Sequence, residues 1–153
     1  MRRLKQGAVV FVVVLAAAQL MRPARTNPPT NPNRTIQAHV GTASALGPVL
    51  DRACGDCHSN RTVWPWYTNI APLSWVMAYA VKEGRKAVNF SEWAAYAPEQ
   101  QRMLLVQSCQ AVSTGKMPGS GWTGLHPEAH LSTSDVEAIC AAAQSETQAA
   151  GGR

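Results

Sequence analysis

Cys54-Gly55-Asp56-Cys57-His58 places two thiols three residues apart, directly ahead of an imidazole. Those residue types at that spacing fit covalent attachment of a haem: each thiol adds across one vinyl group and the imidazole binds the iron. A two-residue spacer keeps both sulfurs along one edge of the macrocycle. The next residue then turns beneath the ring, so Cys54 and Cys57 are the attachment sites and His58 the proximal iron ligand. A zinc site would need further ligands at comparable spacing, and Cys109 and Cys140 each stand alone in the sequence. A thiol redox pair of the thioredoxin kind would sit in a βαβ context, and no stretch here alternates as a strand does.

The elements that must position these groups read as helices and loops. Pro48 to Ala53 is a short helix with Pro48 in its first turn and Val49, Leu50 and Ala53 on one side, delivering Cys54 to the haem edge. After His58, Trp64, Trp66 and Tyr67 are too aromatic for an ordinary surface loop and are assigned to haem packing, with plain core burial as the alternative. Ile70, Leu73, Met77, Ala80 and Val81 recur at helical spacing and predict an amphipathic helix over 72–86. A second short helix spans 91–96 with Ser91 as N-cap, and a longer one runs over 98–114 with Leu105, Cys109 and Val112 on one face and Gly115 to stop it. Ser132 with Asp135 three residues on reads as a capping-box variant opening a last helix to about residue 148, whose apolar stripe is Val136, Ile139, Cys140 and Ala143.

Cys109 and Cys140 both fall on the apolar stripe of their helices, so they are expected to pair as a disulfide in an exported protein, with two buried free thiols as the alternative. Between those helices, Met117 follows the helix stop and precedes Pro118, in a loop that also holds Gly119, Gly121 and Gly124. The His126-Pro127-Glu128-Ala129-His130 segment ends that loop.

Export is indicated by Arg2, Arg3 and Lys5 ahead of the apolar run from Gly7 to Leu20. The run continues through Met21 and carries its positive flank at the start. It is read as a signal anchor over residues 1–21, with a cleaved signal ending at Ala16-Ala17-Ala18 as the alternative. Residues 22–35 hold four prolines and little that is apolar, which suits an extended tether. The folded domain is assigned to 36–148 and a flexible tail to 149–153. The formal charge of +5 does not indicate nucleic acid. Six of the 14 Lys and Arg residues lie in the first 34 positions, leaving eight to balance nine Asp and Glu in the rest.

Taken together, Cys54 to Tyr67, Ile70-Ala71-Pro72-Leu73-Ser74-Trp75, Glu83-Gly84-Arg85, Asn89-Phe90-Ser91-Glu92-Trp93, Met117-Pro118 and His126-Pro127-Glu128-Ala129 with Leu131-Ser132 resemble the bacterial haem-binding domain family over about residues 40–142. These are small exported domains similar to c-type cytochromes. The resemblance implies one covalent haem c and an all-α, cytochrome c-like fold with long loops around it. In such a fold a loop crosses the open haem face. Met117 is therefore the expected distal ligand, His126 its main rival and His130 and His39 weaker ones.

The function expected is electron transfer by a monohaem c-type cytochrome on the periplasmic side of the bacterial inner membrane, or in the soluble periplasm if the signal is cleaved. Its partner would be a redox protein of the cell envelope. A haem-based small-ligand sensor, or a peroxidase-like enzyme with an exchangeable sixth ligand, is the competing class.

Overall fold

A computed structural model describes residues 2–40 and 44–151. Among them every regular element is helical and none is a strand, an all-α architecture. Helix α1 (Arg2–Ala18) is continued by a 3-10 turn at Gln19–Met21, and the two form one apolar rod with mean hydropathy 1.8 and no buried residue in its hydrophobic window. It is long and apolar enough to cross a membrane.

The domain proper starts at α2 (Ile36–Val40), whose Ile36 is fully buried. Helix α3 (Leu46–Ala53) turns Leu46, Val49, Leu50 and Ala53 inward and passes at Cys54 into the single turn α4 (Gly55–His58). Cys54 makes that junction because its backbone leaves the helical region (φ −124°, ψ −28°). Its carbonyl still accepts hydrogen bonds from the amides of Cys57 and His58, at 3.2 and 2.9 Å.

Helix α5 (Leu73–Ala87) lies against α4. Helix α6 (Pro98–Ser113) has Pro98 in its first turn and ends where Gly115 adopts φ +68°, a conformation that only glycine takes without penalty. A short α7 (Ser120–Thr123) follows, and α8 (Thr133–Gly151) then packs back along α6. The core between these helices holds Ile36, Leu50, Phe90, Trp93, Leu105 and Ile139.

Helix α8 opens with the expected capping box, and both arms are made. The Ser132 amide donates to Asp135 Oδ2 at 2.8 Å, and the Asp135 amide donates to Ser132 Oγ at 3.2 Å. The same carboxylate accepts from Arg52 Nη2 at 2.8 Å, tying α3 to the start of α8. The amide and the hydroxyl of Ser132, both donating to it, with Arg52 beside them, hold the Asp135 carboxyl below its usual range. The helix runs on to Gly151, beyond the expected end near residue 148.

Cys109 and Cys140 are joined across α6 and α8, with Cα atoms 4.7 Å apart and a sequence separation of 31. Closing a loop of that length contributes roughly 3 kcal/mol in the chain-entropy account. Alkylation of the unfolded protein without reductant is expected to modify neither residue. Labelling at both positions, mapped by mass spectrometry, would show that they are thiols in the mature protein.

Two expectations are corrected. The 3-10 segment Phe90–Ala95 is capped by Asn89, whose side chain accepts from the Ser91 amide, while Ser91 is buried and its hydroxyl accepts from the Asn60 amide. On α5 the buried positions are Ser74, Met77 and Val81, whereas Ile70 and Leu73, expected inside, are exposed.

The Pro/Asn-rich stretch 22–35 is fastened along the domain by side-chain hydrogen bonds. Arg22 Nη1 donates to the Asn69 carbonyl at 2.6 Å and Asn27 Nδ2 to the Thr62 carbonyl at 2.9 Å, while Arg85 Nη2 reaches Asn27 Oδ1 at 2.8 Å. Proline density keeps the segment extended up to the 3-10 turn at Pro32–Arg34, and its asparagine and arginine side chains supply the donors that fasten it to the domain.

Candidate functional site

The C-x-x-C-H turn is held from two sides. On one, α5 comes so close that a Cβ placed on Gly84 would lie 2.4 Å from the Cys57 carbonyl oxygen, so only glycine allows this approach. The neighbouring Arg85 donates from Nε to the Ser59 carbonyl at 2.7 Å and from Nη2 to Thr62 Oγ1 at 2.9 Å. On the other side, Asn89 Nδ2 donates to Asn60 Oδ1 at 2.8 Å, and Asn60 Nδ2 donates to Glu92 Oε1 at 3.3 Å. Asp56 folds the loop back by accepting from the Val63 amide at 2.7 Å. The chain leaving His58 is therefore fixed by side chains from α5 and from the Phe90–Ala95 turn.

His58 itself is oriented by the Val88 carbonyl, 3.2 Å from Nδ1, and packs against Phe90 with ring centroids 5.9 Å apart. With Nδ1 donating to that carbonyl, the tautomer leaves Nε2 as the nitrogen with a free lone pair. Burial pushes the imidazole pKa below its ordinary value, opposed in part by the backbone bonds to Val88 and Gly84, so the ring is neutral at pH 7 and able to bind a metal.

Burial also raises both thiols, Cys54 to about 12 with a further push from Cys57, and Cys57 to about 11 with a further push from Asp56. Reactive redox cysteines have lowered values in electropositive surroundings, so this pair lacks the signature of a thiol oxidoreductase. It is the only pair of free cysteines among the described residues.

Cys54 and His58 face a cavity of about 450 Å³. Leu50, Phe90, Leu104, Val112 and Ile139 give it apolar walls, and Met117 stands at its rim. That volume falls within the roughly 300–1,000 Å³ of cofactor pockets. Met117, 43% exposed, is positioned by the stop at Gly115 and by a hydrogen bond from its amide to the Ala111 carbonyl at 3.1 Å.

His126 does not line this cavity. Its Nε2 lies 2.7 Å from the Tyr67 hydroxyl, its Nδ1 2.9 Å from Glu128 Oε1, and its ring stacks on Trp122 at 3.6 Å. His39 and His130 are both exposed away from the cavity. None of Trp64, Trp66 and Tyr67 lines it: Trp66 is exposed, Tyr67 faces His126, and Trp64 keeps a buried Nε1 without a partner. Reading the sequence alone missed the Val88 carbonyl and the role of Gly84 and Arg85, although Glu83-Gly84-Arg85 belongs to the pattern that carried the resemblance.

The Cys54 thiol and the neutral His58 imidazole border one largely apolar cavity, while Cys57, half-buried on the same turn, stands outside its lining, and this donor set of nitrogen and sulfur suits a haem. The chain belongs to the haem-binding domain family, whose profile matches residues 13–145, from inside α1 to within α8. The match takes in the whole linker as well as the domain. No curated protein and no solved structure matches the chain.

Proposed function

We propose that this protein is a monohaem c-type cytochrome that carries electrons in the bacterial cell envelope, held to the membrane by α1. The observation that carries the reading is that Cys54, His58 and Met117 border the same apolar cavity. Cys54 and Cys57 would each add an S–H across a vinyl group, forming two thioether bonds and leaving no free thiol. His58 would bind through Nε2 on one side, and Met117 would offer its thioether on the other. When bound, the haem supplies a one-electron ferric–ferrous couple. The apolar walls raise the cost of the extra charge on the oxidised site, and thioether ligation favours the reduced form further.

His126 is the less suitable distal ligand, because both its ring nitrogens already have partners and its stacking on Trp122 would be lost. The competing reading, an exchangeable sixth position serving small-ligand sensing or peroxidase-like chemistry, draws on the exposure of Met117 at the rim.

The optical spectrum of the purified holoprotein separates the two. A low-spin spectrum unchanged by carbon monoxide, with the weak near-infrared sulfur-to-iron band in the oxidised form, is expected for electron transfer. Met117→Ala should remove that band and open the site to carbon monoxide, while His126→Ala should leave the band in place. Loss of the band in the histidine variant alone, or ready carbon monoxide binding by the wild type, would refute the assignment.

A further inference from the structure

We infer that the domain lies face-down on the lipid bilayer, with the loop after Trp64 and the first two turns of α5 seated in the headgroup region. This rests on the reading of α1 as a retained membrane anchor and adds to it a fixed orientation of the domain.

Three independent features meet on this face. The first is exposed apolar and aromatic surface: Trp66 is 75% exposed, Tyr79 67% and Val76 63%, with Ile70, Leu73 and Trp75 open beside them. A soluble domain rarely leaves so many large side chains together without a partner. Tryptophan and tyrosine are the residues that settle at the membrane–water interface, where an apolar ring and a polar tip are both satisfied.

The second is the anchor itself, which is bonded to this same surface. Gln19 Oε1 accepts from the Ala71 amide at 3.0 Å and Gln19 Nε2 donates to the Ala71 carbonyl at 3.3 Å. Trp75 Nε1 donates to the Met21 carbonyl at 2.8 Å, and Arg22 Nη1 to the Asn69 carbonyl. The end of the apolar rod is thus pinned between residues 69 and 75, so a bilayer spanned by α1 meets the domain there. The extended segment after Arg22 then runs from this end past Thr62 and Arg85, on the last turn of α5, towards Asn60. At 1.5 Å per residue, Val88 and the His58 it orients stand about 22 Å along α5 from Leu73, so the cavity lies at the end of α5 remote from the anchor.

The third is charge. No Asp or Glu occurs between Asp56 and Glu83, and none precedes Asp51, while Arg22 and Arg25 sit at the anchor's exit. The segment from Arg61 to Lys82 thus supplies no carboxylate of its own to repel anionic lipid headgroups, the nearest being Glu128, one hydrogen bond beyond His126 from Tyr67, and the guanidinium groups at the anchor's exit attract such headgroups.

The test uses the full-length haem-loaded chain in vesicles of phosphatidylethanolamine and phosphatidylglycerol. A nitroxide is attached at Val76→Cys, and at Met103→Cys, exposed on α6, as the reference. Collision with oxygen is expected to exceed collision with a water-soluble nickel chelate at position 76, and the order to reverse at position 103. Hydroxyl-radical footprinting of the unsubstituted chain should show Trp66 and Tyr79 oxidised at least several-fold less than their exposure in the structure dictates, with Met103 reacting freely. Nickel access at position 76 equal to that at 103, or full oxidation of Trp66 and Tyr79 in a chain that still floats with the vesicles, would overturn the orientation alone. A chain that does not float with the vesicles would overturn the anchor and the orientation together. Neither readout depends on the haem's axial ligands or on electron transfer.

Discussion

Replacing His58 by alanine is expected to abolish the low-spin spectrum of the holoprotein while leaving its haem covalently attached. The imidazole is already prepared for ligation: Nδ1 faces the Val88 carbonyl at 3.2 Å, Nε2 is free, and burial keeps the ring unprotonated. No other histidine among the described residues lines the cavity, so no neighbour is placed to substitute. The proposed thioether attachment would depend on Cys54 and Cys57 and is read independently, as a haem-sized mass increment on the denatured wild-type chain. The expected pattern is therefore retention of that increment with loss of the low-spin bands. A wild-type chain that sheds all its haem on denaturation would contradict covalent attachment. A His58→Ala protein with unchanged low-spin bands would contradict proximal ligation.

The features legible in the sequence were those set by near neighbours. The Ser132–Asp135 box and the Gly115 stop need only a few residues of chain, and both form as their spacing implies. The Cys54–His58 pentapeptide likewise brings its own geometry, since the amides of Cys57 and His58 close on the Cys54 carbonyl. Asn89 displaced Ser91 as a cap because Ser91 had a distant use, accepting from the Asn60 amide across 31 positions of sequence. Similarly, Ile70 and Leu73 fit a helical stripe but lie where the domain meets α1, a junction that periodicity cannot register.

The aromatic cluster after His58 follows the same logic. Aromatic content signals that a ring needs apolar company, yet it does not specify which company. Tyr67 found His126, Trp66 remained on the face beside the anchor, and Trp64, half-buried like Tyr67, keeps its Nε1 inside. The linker's asparagines and arginines were similarly ambiguous, because the same side chains suit hydration or carbonyl recognition. Their carbonyl partners, Thr62 in a loop and Asn69 at the end of a 3-10 turn over Trp66–Asn69, are brought to the segment by a chain course that no local rule determines.

Gly84→Ala is the substitution for which local and tertiary physics disagree in sign. Within α5, exchanging glycine for alanine should stabilise the helix by about 1 kcal/mol, since alanine loses less backbone freedom. Against that, the added Cβ would meet the Cys57 oxygen at 2.4 Å, the Cys57 carbonyl carbon at 2.9 Å and its Cβ at 3.1 Å. Two of those atoms are backbone, so no rotamer change relieves the contact; α5 and α4 must separate. Overpacking typically costs about 1–3 kcal/mol, and a backbone collision belongs at or above the top of that range. Separation would also move Cys57 and loosen the Arg85 bond to the Ser59 carbonyl, disturbing the turn that presents both thiols and His58. The expected outcome is a lower thermal midpoint together with a clear fall in the fraction of chain carrying haem. Gly121→Ala, where an added Cβ meets nothing within 4 Å, serves as the matched control and should leave haem content unchanged. A Gly84→Ala protein as stable and as fully loaded as wild type would show that α5 and the C-x-x-C-H turn do not approach this closely in the mature protein.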